Sequence, residues 1–310
     1  MNVTRRDTAQ TLHPNSPVMV KDMGYVVEIV HNARPANGPC IRKLDKDYYV
    51  DLRDGEVREF NHAADRSESS RQFKNSMRKL RDIINANITD VTRCRWCTFT
   101  YAENMTDCKR LQRDWEHCWK KIKRLWEATR YISIAEPQGR GAWHLHVILL
   151  FDRIAPFIPN HELAAAWRQG FVTVKKLDSV DNVGAYLTAY LADLPVDEAK
   201  KLGIAGEVKE IEVLDDDGKP VKKRFIKGAR VYMYPTGFNF YRCSRGIRKP
   251  DKQPMAYGEA LELVKGSACT YRATIDLEAE EGNYKNTVTY ESYNRKRRVP
   301  CNSEPMQKLS

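Results

Sequence analysis

The feature that most constrains this sequence is a pair of strand-like segments joined by a short turn. Residues 131–136 (YISIAE) and 143–151 (WHLHVILLF) are rich in apolar and β-branched residues, and PQGRGA between them has the composition of a turn. Alternate residues of a strand point to the same face, so His144 and His146 are expected side by side with the apolar residues around them in the core. The sequence therefore predicts an antiparallel hairpin that presents two imidazoles on one face.

A divalent cation is one use for this pair of histidines. Two neutral imidazoles about one strand repeat apart can chelate a metal, although two polar residues on a solvated strand face are the plainer interpretation. Glu136 ends the preceding strand, and a hairpin that pairs Glu136 with His144 brings its carboxylate to the imidazole face. Two nitrogens and one oxygen suit Mg²⁺ or Mn²⁺ holding a phosphate, so we predict Glu136, His144 and His146 as metal ligands.

Two tyrosines form a second candidate element. Tyr186 and Tyr190 lie within residues 181–194, which are predicted to be helical, and positions i and i+4 of a helix face the same way. A phenol has a pKa of about 10 and becomes a useful nucleophile beside a cation, whereas an aromatic pair packed in the core is the plainer alternative. Together the two elements suggest tyrosine attack on a metal-polarised phosphodiester of a single DNA strand.

Strand and helix patterns alternate along the rest of the chain. Hairpin-like segments predominate, so the predicted fold class is α+β with an antiparallel sheet. The predicted helices cover residues 68–86, 109–128, 160–169 and 181–194. The predicted strands and hairpin arms cover residues 22–60, 95–101, 131–136, 143–151, 171–177 and 207–234. The predicted domains are a disordered N-terminus (1–21), a small β-rich segment (22–66), a nuclease domain (67–250) and a polar, basic C-terminal extension (251–310).

The charge favours a polyanionic partner. The net charge is +11, and residues 221–250 hold nine lysines and arginines with no acidic residue. Aromatic residues are interleaved there, which is the mixture that single-stranded DNA binding requires, although we expect half of these rings in the core. The predicted DNA-binding residues are Lys222, Lys223, Arg224, Lys227, Arg230, Arg242, Arg245 and Arg248.

Other function classes have weaker support. No apolar segment is long enough to span a bilayer, and the basic start of the chain has no apolar segment behind it, so a cytoplasmic protein without a membrane partner is expected. A zinc site at Cys94 and Cys97 is disfavoured because an odd spacing within a strand points the two thiols to opposite faces. We therefore expect buried thiols there.

The order of the motifs resembles that of the HUH endonucleases. CTFTYAENMTD, AEPQGRGAWHLHVILLF and NVGAYLTAYLAD are similar to the strand, metal and tyrosine motifs of rolling-circle replication initiator (Rep) proteins of plasmids, phages and integrated elements. YPTGFNFYRCSRGIRKP resembles the end of such a domain, so the resemblance covers roughly residues 70–250.

The resemblance implies a central, about five-stranded antiparallel sheet that carries the histidines between flanking helices. It also implies a Mg²⁺ or Mn²⁺ requirement, with Tyr186 and Tyr190 at the positions of the two catalytic tyrosines. The enzyme would nick single-stranded origin DNA, retain a 5′-phosphotyrosyl end and leave a 3′-hydroxyl primer. Ala189 and Asp193 stand where many relatives carry lysines. The sequence has no GxxxxGK[ST] loop, so helicase and polymerase are expected to come from the host.

Three alternatives stay open at this point. A mobilisation relaxase or a single-strand transposase uses the same chemistry, and neighbouring conjugation genes or transposon ends would distinguish it. A non-enzymatic DNA-binding regulator would keep every DNA-dependent activity without the tyrosine hydroxyls. A basic RNA-binding protein with an incidental HLH tripeptide would prefer RNA and ignore chelators.

Overall fold

The computed structural model describes residues 2–8, 10–35, 38–60, 70–177, 182–189, 191–214, 220–235, 237–279 and 284–298. The chain forms two compact units. One combines residues 1–63 with residues 250–310, and the other comprises residues 64–249. No helix in the described part of the chain is both long and apolar enough to cross a membrane.

The strands, in chain order, are β1 (Asn2–Arg6), β2 (Pro17–Met23), β3 (Val26–Asn32), β4 (Ile41–Lys43), β5 (Tyr48–Asp51), β6 (Val57–Glu59), β7 (Cys94–Tyr101), β8 (Arg130–Pro137), β9 (Trp143–Leu150), β10 (Gly170–Lys175), β11 (Leu194–Pro195), β12 (Val208–Leu214), β13 (Pro220–Ile226), β14 (Tyr241–Cys243), β15 (Asp251–Ala256), β16 (Ser267–Glu278) and β17 (Lys285–Arg298). The helices are α1 (Ser70–Asn87), α2 (Cys108–Trp126), α3 (Asn160–Trp167), α4 (Val183–Thr188), α5 (Val196–Lys201) and α6 (Tyr257–Leu263). The mixture of helices and antiparallel sheets confirms the predicted α+β class.

The unit that holds both ends of the chain is built on a six-stranded sheet in the order β1-β16-β17-β3-β2-β15. Its strands pair antiparallel throughout, and β16 and β17 form the longest hairpin of the described chain. Its core contains Val18, Val20, Val27, Ile29, Ala260, Val264 and Tyr293. A separate three-stranded sheet joins β4, β5 and β6.

This unit differs from what the sequence suggested for the two ends of the chain. Residues 1–21 were expected to be disordered and residues 251–310 to be a polar extension, but β1 and β15–β17 all lie in the six-stranded sheet. The strand patterns there are weak because many of these residues are exposed, as all five residues of β1 are. Such strands are held by pairing with distant segments, which local periodicity does not report.

The unit formed by residues 64–249 contains a five-stranded antiparallel sheet in the order β10-β7-β9-β8-β14. Helix α2 lies on one face of this sheet, where Leu111, Trp115, Cys118 and Ile122 are buried. Trp115 makes edge-to-face ring contacts with Phe99 of β7 at 5.4 Å and Tyr131 of β8 at 5.0 Å between centroids. Since Phe99 alternates with Thr98 and Thr100 along β7, the threonines point to the other face, away from α2.

Most predicted helices of this unit are confirmed. The structure has α1, α2 and α3 within two residues or so of their predicted ends, with Phe73, Leu80 and Ile84 buried along α1. The predicted caps Ser67 and Ser69 lie outside the described residues. The helix predicted over 181–194 is shorter, because α4 ends at Thr188 and Leu194 already pairs with Ile226 of β13.

Candidate active site

The β8–β9 hairpin places Glu136, His144 and His146 on the face of the sheet opposite α2. The register pairs Glu136 with His144 directly and His146 with Ile134, which confirms the predicted pairing. Gly141 supplies the positive φ of +84° that the connecting turn needs, and the Gln138 amide donates to the Ala142 carbonyl at 2.8 Å. The two histidines are half-buried while Leu145 and Val147 are buried, as strand alternation predicts.

His146 is held from three sides. Its Nδ1 is hydrogen-bonded to the Thr98 hydroxyl at 3.0 Å, and its Nε2 contacts the Glu136 carboxylate. The Trp96 ring stacks on the imidazole, with 5.2 Å between centroids and 17° between planes. These contacts fix the orientation of the ring, because each of its two nitrogens already has a partner.

His144 differs from His146 in its hydrogen bonding. Its Nε2 atom is buried and has no hydrogen-bond partner. Burial, followed by the neighbouring His146 and Arg140, lowers the pKa of His144 to about 4, and burial lowers the pKa of His146 to about 4. Both rings are therefore neutral at pH 7, which is the state that binds a metal.

Glu136 has a second partner that the sequence did not indicate. The Arg230 guanidinium forms an ion pair with the Glu136 carboxylate. Arg230 is only 5% exposed, and its backbone amide donates to the Ala192 carbonyl at 3.0 Å. Burial lowers the pKa of Arg230 to about 10, so it remains charged at neutral pH. Predicted as a DNA-binding residue, Arg230 instead lies buried beside Glu136.

The three predicted metal ligands share a face but do not form a closed cluster. Among the described residues, no group of three or more His, Cys, Asp or Glu side chains is arranged to hold a metal ion. The neutral rings and the unpartnered His144 Nε2 are suited to a divalent cation in chemistry. Glu136 is engaged by Arg230 and His146 instead, so the carboxylate would have to exchange partners to serve as a ligand.

Tyr186 lies on α4, which is anchored to α1. Asn182 caps α4 by accepting from the Ala185 amide at 2.8 Å, and Asn85 of α1 both donates to the Asn182 side chain and accepts from the Gly184 amide. A side chain at Gly184 would collide with the Arg81 carbonyl, so this close approach requires glycine. The Tyr186 side chain is 38% exposed. Tyr190 and Asp181 lie outside the described residues.

A lysine from a distant strand reaches the segment after α4. The Lys209 ammonium donates to the Ala189 carbonyl at 3.2 Å and lies 3.5 Å from the carboxylate of Asp193. Asp193 is buried and also accepts from the Gly228 amide at 2.8 Å. The segment that follows Tyr186 thus carries a positive charge contributed by β12.

The predicted DNA-binding residues divide into two groups. Lys222 and Lys227 are paired with Glu210 and Glu207, and Arg248 donates to the Ala86 carbonyl at the end of α1. The cations that are exposed and form no ion pair with any described residue are Lys223, Arg224, Arg242 and Arg245. The interleaved rings of Phe225, Tyr234 and Phe240 are buried, as expected for half of them.

The positive charge is concentrated in one unit of the chain. Residues 64–249 contain 34 Lys and Arg against 23 Asp and Glu, whereas residues 1–63 and 250–310 together contain 18 of each. The whole net charge of +11 therefore belongs to the unit that carries the histidines and Tyr186. A polyanion would be attracted to this unit specifically.

The cysteines are buried thiols rather than surface ligands. Cys94, Cys97 and Cys118 are buried, and burial raises the pKa of Cys94 and of Cys118 to about 12. The pKa of Cys97 is raised further in the same direction, because that thiol is fully enclosed. Such thiols stay protonated and act as small apolar side chains.

Comparison with known families identifies the region that contains this site. Residues 94–194 match the family model of the replication-associated proteins of the ORF2 type. The match runs from the start of β7 to β11, and it includes Glu136, both histidines and Tyr186. It supports a replication-associated protein. No curated protein and no solved structure matches the chain.

Three residues of the site were not found from the sequence: Arg230, which pairs with Glu136, and Thr98 and Trp96, which orient His146. The signal for the last two was available in the alternation of β7. Trp96, Thr98 and Thr100 recur at every second position, and the register sets Thr98 opposite His146. No local pattern marks Arg230, which follows β13 and meets Glu136 only in the folded chain.

Proposed function

We propose that this protein is a rolling-circle replication initiator of the HUH type that nicks single-stranded origin DNA. One observation carries the proposal: two neutral, adjacent imidazoles, one with a buried and unpartnered nitrogen, lie within the region that matches a replication-associated family. The exposed Tyr186 on α4 and the concentration of positive charge in the same unit support it.

The cofactor in this proposal is Mg²⁺ or Mn²⁺, held by His144, His146 and Glu136. When bound, the cation supplies Lewis-acid charge at the scissile phosphate. His144 offers its free Nε2 without losing a hydrogen bond. His146 keeps its Nδ1 contact to the Thr98 hydroxyl, with the Nδ1 proton donated to that oxygen when Nε2 binds as an acceptor.

The reaction is a transesterification that conserves the number of phosphodiester bonds. The Tyr186 phenol oxygen forms a bond to phosphorus while the bond from phosphorus to the 3′-oxygen breaks. The phenolic proton leaves Tyr186, and the departing 3′-oxygen takes up a proton to become a hydroxyl. The 5′ end remains as a phosphotyrosyl ester, and the 3′-hydroxyl serves as a primer for a host polymerase, with strand separation by a host helicase.

Covalent attachment is the direct test. The full chain is incubated with single-stranded oligonucleotides tiled across the DNA element that encodes it, with Mn²⁺, with Mg²⁺ and with EDTA. We expect an adduct that survives SDS, requires metal and carries the 5′ portion blocked, with a free 3′-hydroxyl on the other product. Absence of an adduct on every oligonucleotide, from protein that binds the same DNA, would rule the proposal out.

A non-enzymatic DNA-binding regulator is the second candidate, and the ion pair between Arg230 and Glu136 favours it. An arginine that permanently occupies Glu136 would leave the histidines without their carboxylate partner. This candidate predicts DNA binding that is indifferent to EDTA, together with no adduct in the same assay.

A further inference from the structure

An exposed aromatic ring lies in line with the candidate active site across the sheet. Phe171 is the second residue of the edge strand β10, and its side chain is 71% exposed. It pairs with Thr100 of β7, which pairs with His144 of β9, which pairs with Glu136 of β8. Residues directly opposite each other in antiparallel strands share a face, so all four side chains project from the same side of the sheet.

The register also gives the separation of the ring from the histidine. Phe171 and His144 are two strands apart, and neighbouring strands are spaced by about 4.8 Å, so the two backbones are roughly 10 Å apart. Thr173 lies two residues along β10, opposite Thr98, and it is exposed on the same face. A strip of exposed side chains therefore borders the histidines along the sheet edge.

Exposure of a single phenylalanine has little meaning by itself, since Phe157 is exposed to 81% in the loop before α3. The position of Phe171 is what distinguishes it. Its neighbour Val172 faces the other side of β10 and is buried, so the strand already has its anchor in the core. The fold does not need the Phe171 ring, while a ligand that lies across the histidines would meet it.

Single-stranded DNA has the chemistry that fits this strip. Binding of a single strand combines cations for the phosphates with flat rings on which bases stack. The unit holds the entire positive excess of the chain, yet three rings of its basic segment, Phe225, Tyr234 and Phe240, are buried. Phe171 offers an accessible ring on the face that the scissile phosphate would occupy.

We propose that Phe171 is a stacking platform for a base close to the scissile phosphate of the bound single strand. This proposal rests on the proposed function for the position of the phosphate at His144. Stacking on Phe171 holds the flanking nucleotide against the sheet edge and sets the phosphate over the histidines. Because every base has a flat face, the contact positions the strand with little preference for sequence.

Photo-crosslinking tests the contact without requiring cleavage. The full chain, in EDTA, is bound to an oligonucleotide from its own element that carries one 5-iododeoxyuridine, moved one position at a time. Mass spectrometry of the crosslinked peptides is expected to find Phe171 at one or two adjacent positions. Phe171→Ala is expected to weaken binding by about 5- to 150-fold, Phe171→Trp to retain it, and the matched control Phe157→Ala to leave it unchanged.

An abasic nucleotide at the crosslinked position gives an independent measurement. It is expected to weaken binding by the wild-type protein, with little further weakening in Phe171→Ala, because both changes remove the same interaction. Equal binding by wild type and Phe171→Ala, or crosslinks confined to other residues, would overturn the stacking proposal, as would wild-type protein that does not bind the single strand. The adduct assay distinguishes the two proposals: an adduct with a neutral Phe171→Ala rejects only the stacking, and a crosslink to Phe171 without any adduct rejects only the nicking.

Discussion

Arg230 pairs with Glu136, the residue that lies opposite His144 in the β8–β9 hairpin. Both charges are largely removed from solvent, with side-chain exposures of 6% and 16%. Removing one partner of a buried ion pair leaves the other charge uncompensated, which costs about 3–5 kcal/mol. The ion pair therefore stabilises the hairpin and, at the same time, competes with any cation for the same carboxylate.

Arg230→Met should reveal this competition. We expect the free energy of unfolding to fall by about 3–5 kcal/mol without metal. Mn²⁺ should then raise the melting temperature of the variant by more than it raises that of the wild type, since Glu136 is free to bind it. Arg245→Met, at an exposed cation, is the control and should change neither value. A variant that Mn²⁺ stabilises no more than wild type would show that Glu136 is not a ligand.

The two histidines should differ in their structural importance. His146→Ala removes the interactions with Thr98, Glu136 and Trp96, so we expect the free energy of unfolding in urea to fall by about 1–3 kcal/mol. His144→Gln keeps a polar side chain where the imidazole Nε2 had no partner, and it should cost less. Both substitutions should abolish the metal-dependent adduct. Retention of the adduct in either variant would contradict the ligand assignment.

Stability should decrease in mild acid because of the same histidines. Each has a folded-state pKa of about 4, below the ordinary value of 6.5, so folding favours the neutral ring. The unfolded chain binds protons first as the pH falls, so the stabilisation present above about pH 6.5 is lost progressively down to pH 4. Urea midpoints measured from pH 7.5 to pH 4.5 should show the decline. A His144→Gln/His146→Gln double variant should show a flatter profile, and an equally steep one would assign the decline to other groups.

The tyrosines should separate by adduct formation. Tyr186→Phe removes only a hydroxyl from a side chain that is 38% exposed, so the melting temperature should not change while the adduct disappears. We expect Tyr190→Phe to reduce rather than abolish the first attachment, in keeping with a role in the second transfer. Peptide mapping of the phosphotyrosine checks both statements. Attachment to Tyr190 alone would reverse the assignment.

The exposed cations should determine the salt dependence of DNA binding. Replacing Lys223, Arg224, Arg242 and Arg245 by alanine should reduce the slope of log Kd against log salt by about 0.7 for each phosphate that is no longer neutralised. The control is Lys265→Ala, which removes a cation paired with Glu262 in the other unit and should leave the slope unchanged. Fluorescence anisotropy across a salt series is the measurement. An unchanged slope in the quadruple variant would place the DNA on a different surface.

Local patterns in the sequence were sufficient for the centre of the candidate site. Alternation with a period of two put His144 and His146 on one face, and the short turn gave the register that pairs Glu136 with His144. Both follow from strand geometry within a segment of about twenty residues, so no tertiary information was needed. The helical period likewise predicted the buried sides of α1 and α2.

The sequence by itself thus determined the α+β class, the hairpin that presents the histidines and the basic character of the chain. Only the tertiary structure decided that Arg230 binds Glu136, that Lys209 reaches the segment after α4, and that both ends of the chain join one sheet. These features bring together residues far apart in the chain, and each depends on where whole strands are packed. Periodicity reports which side of a strand or helix is buried, but it carries no information about which distant segment covers it.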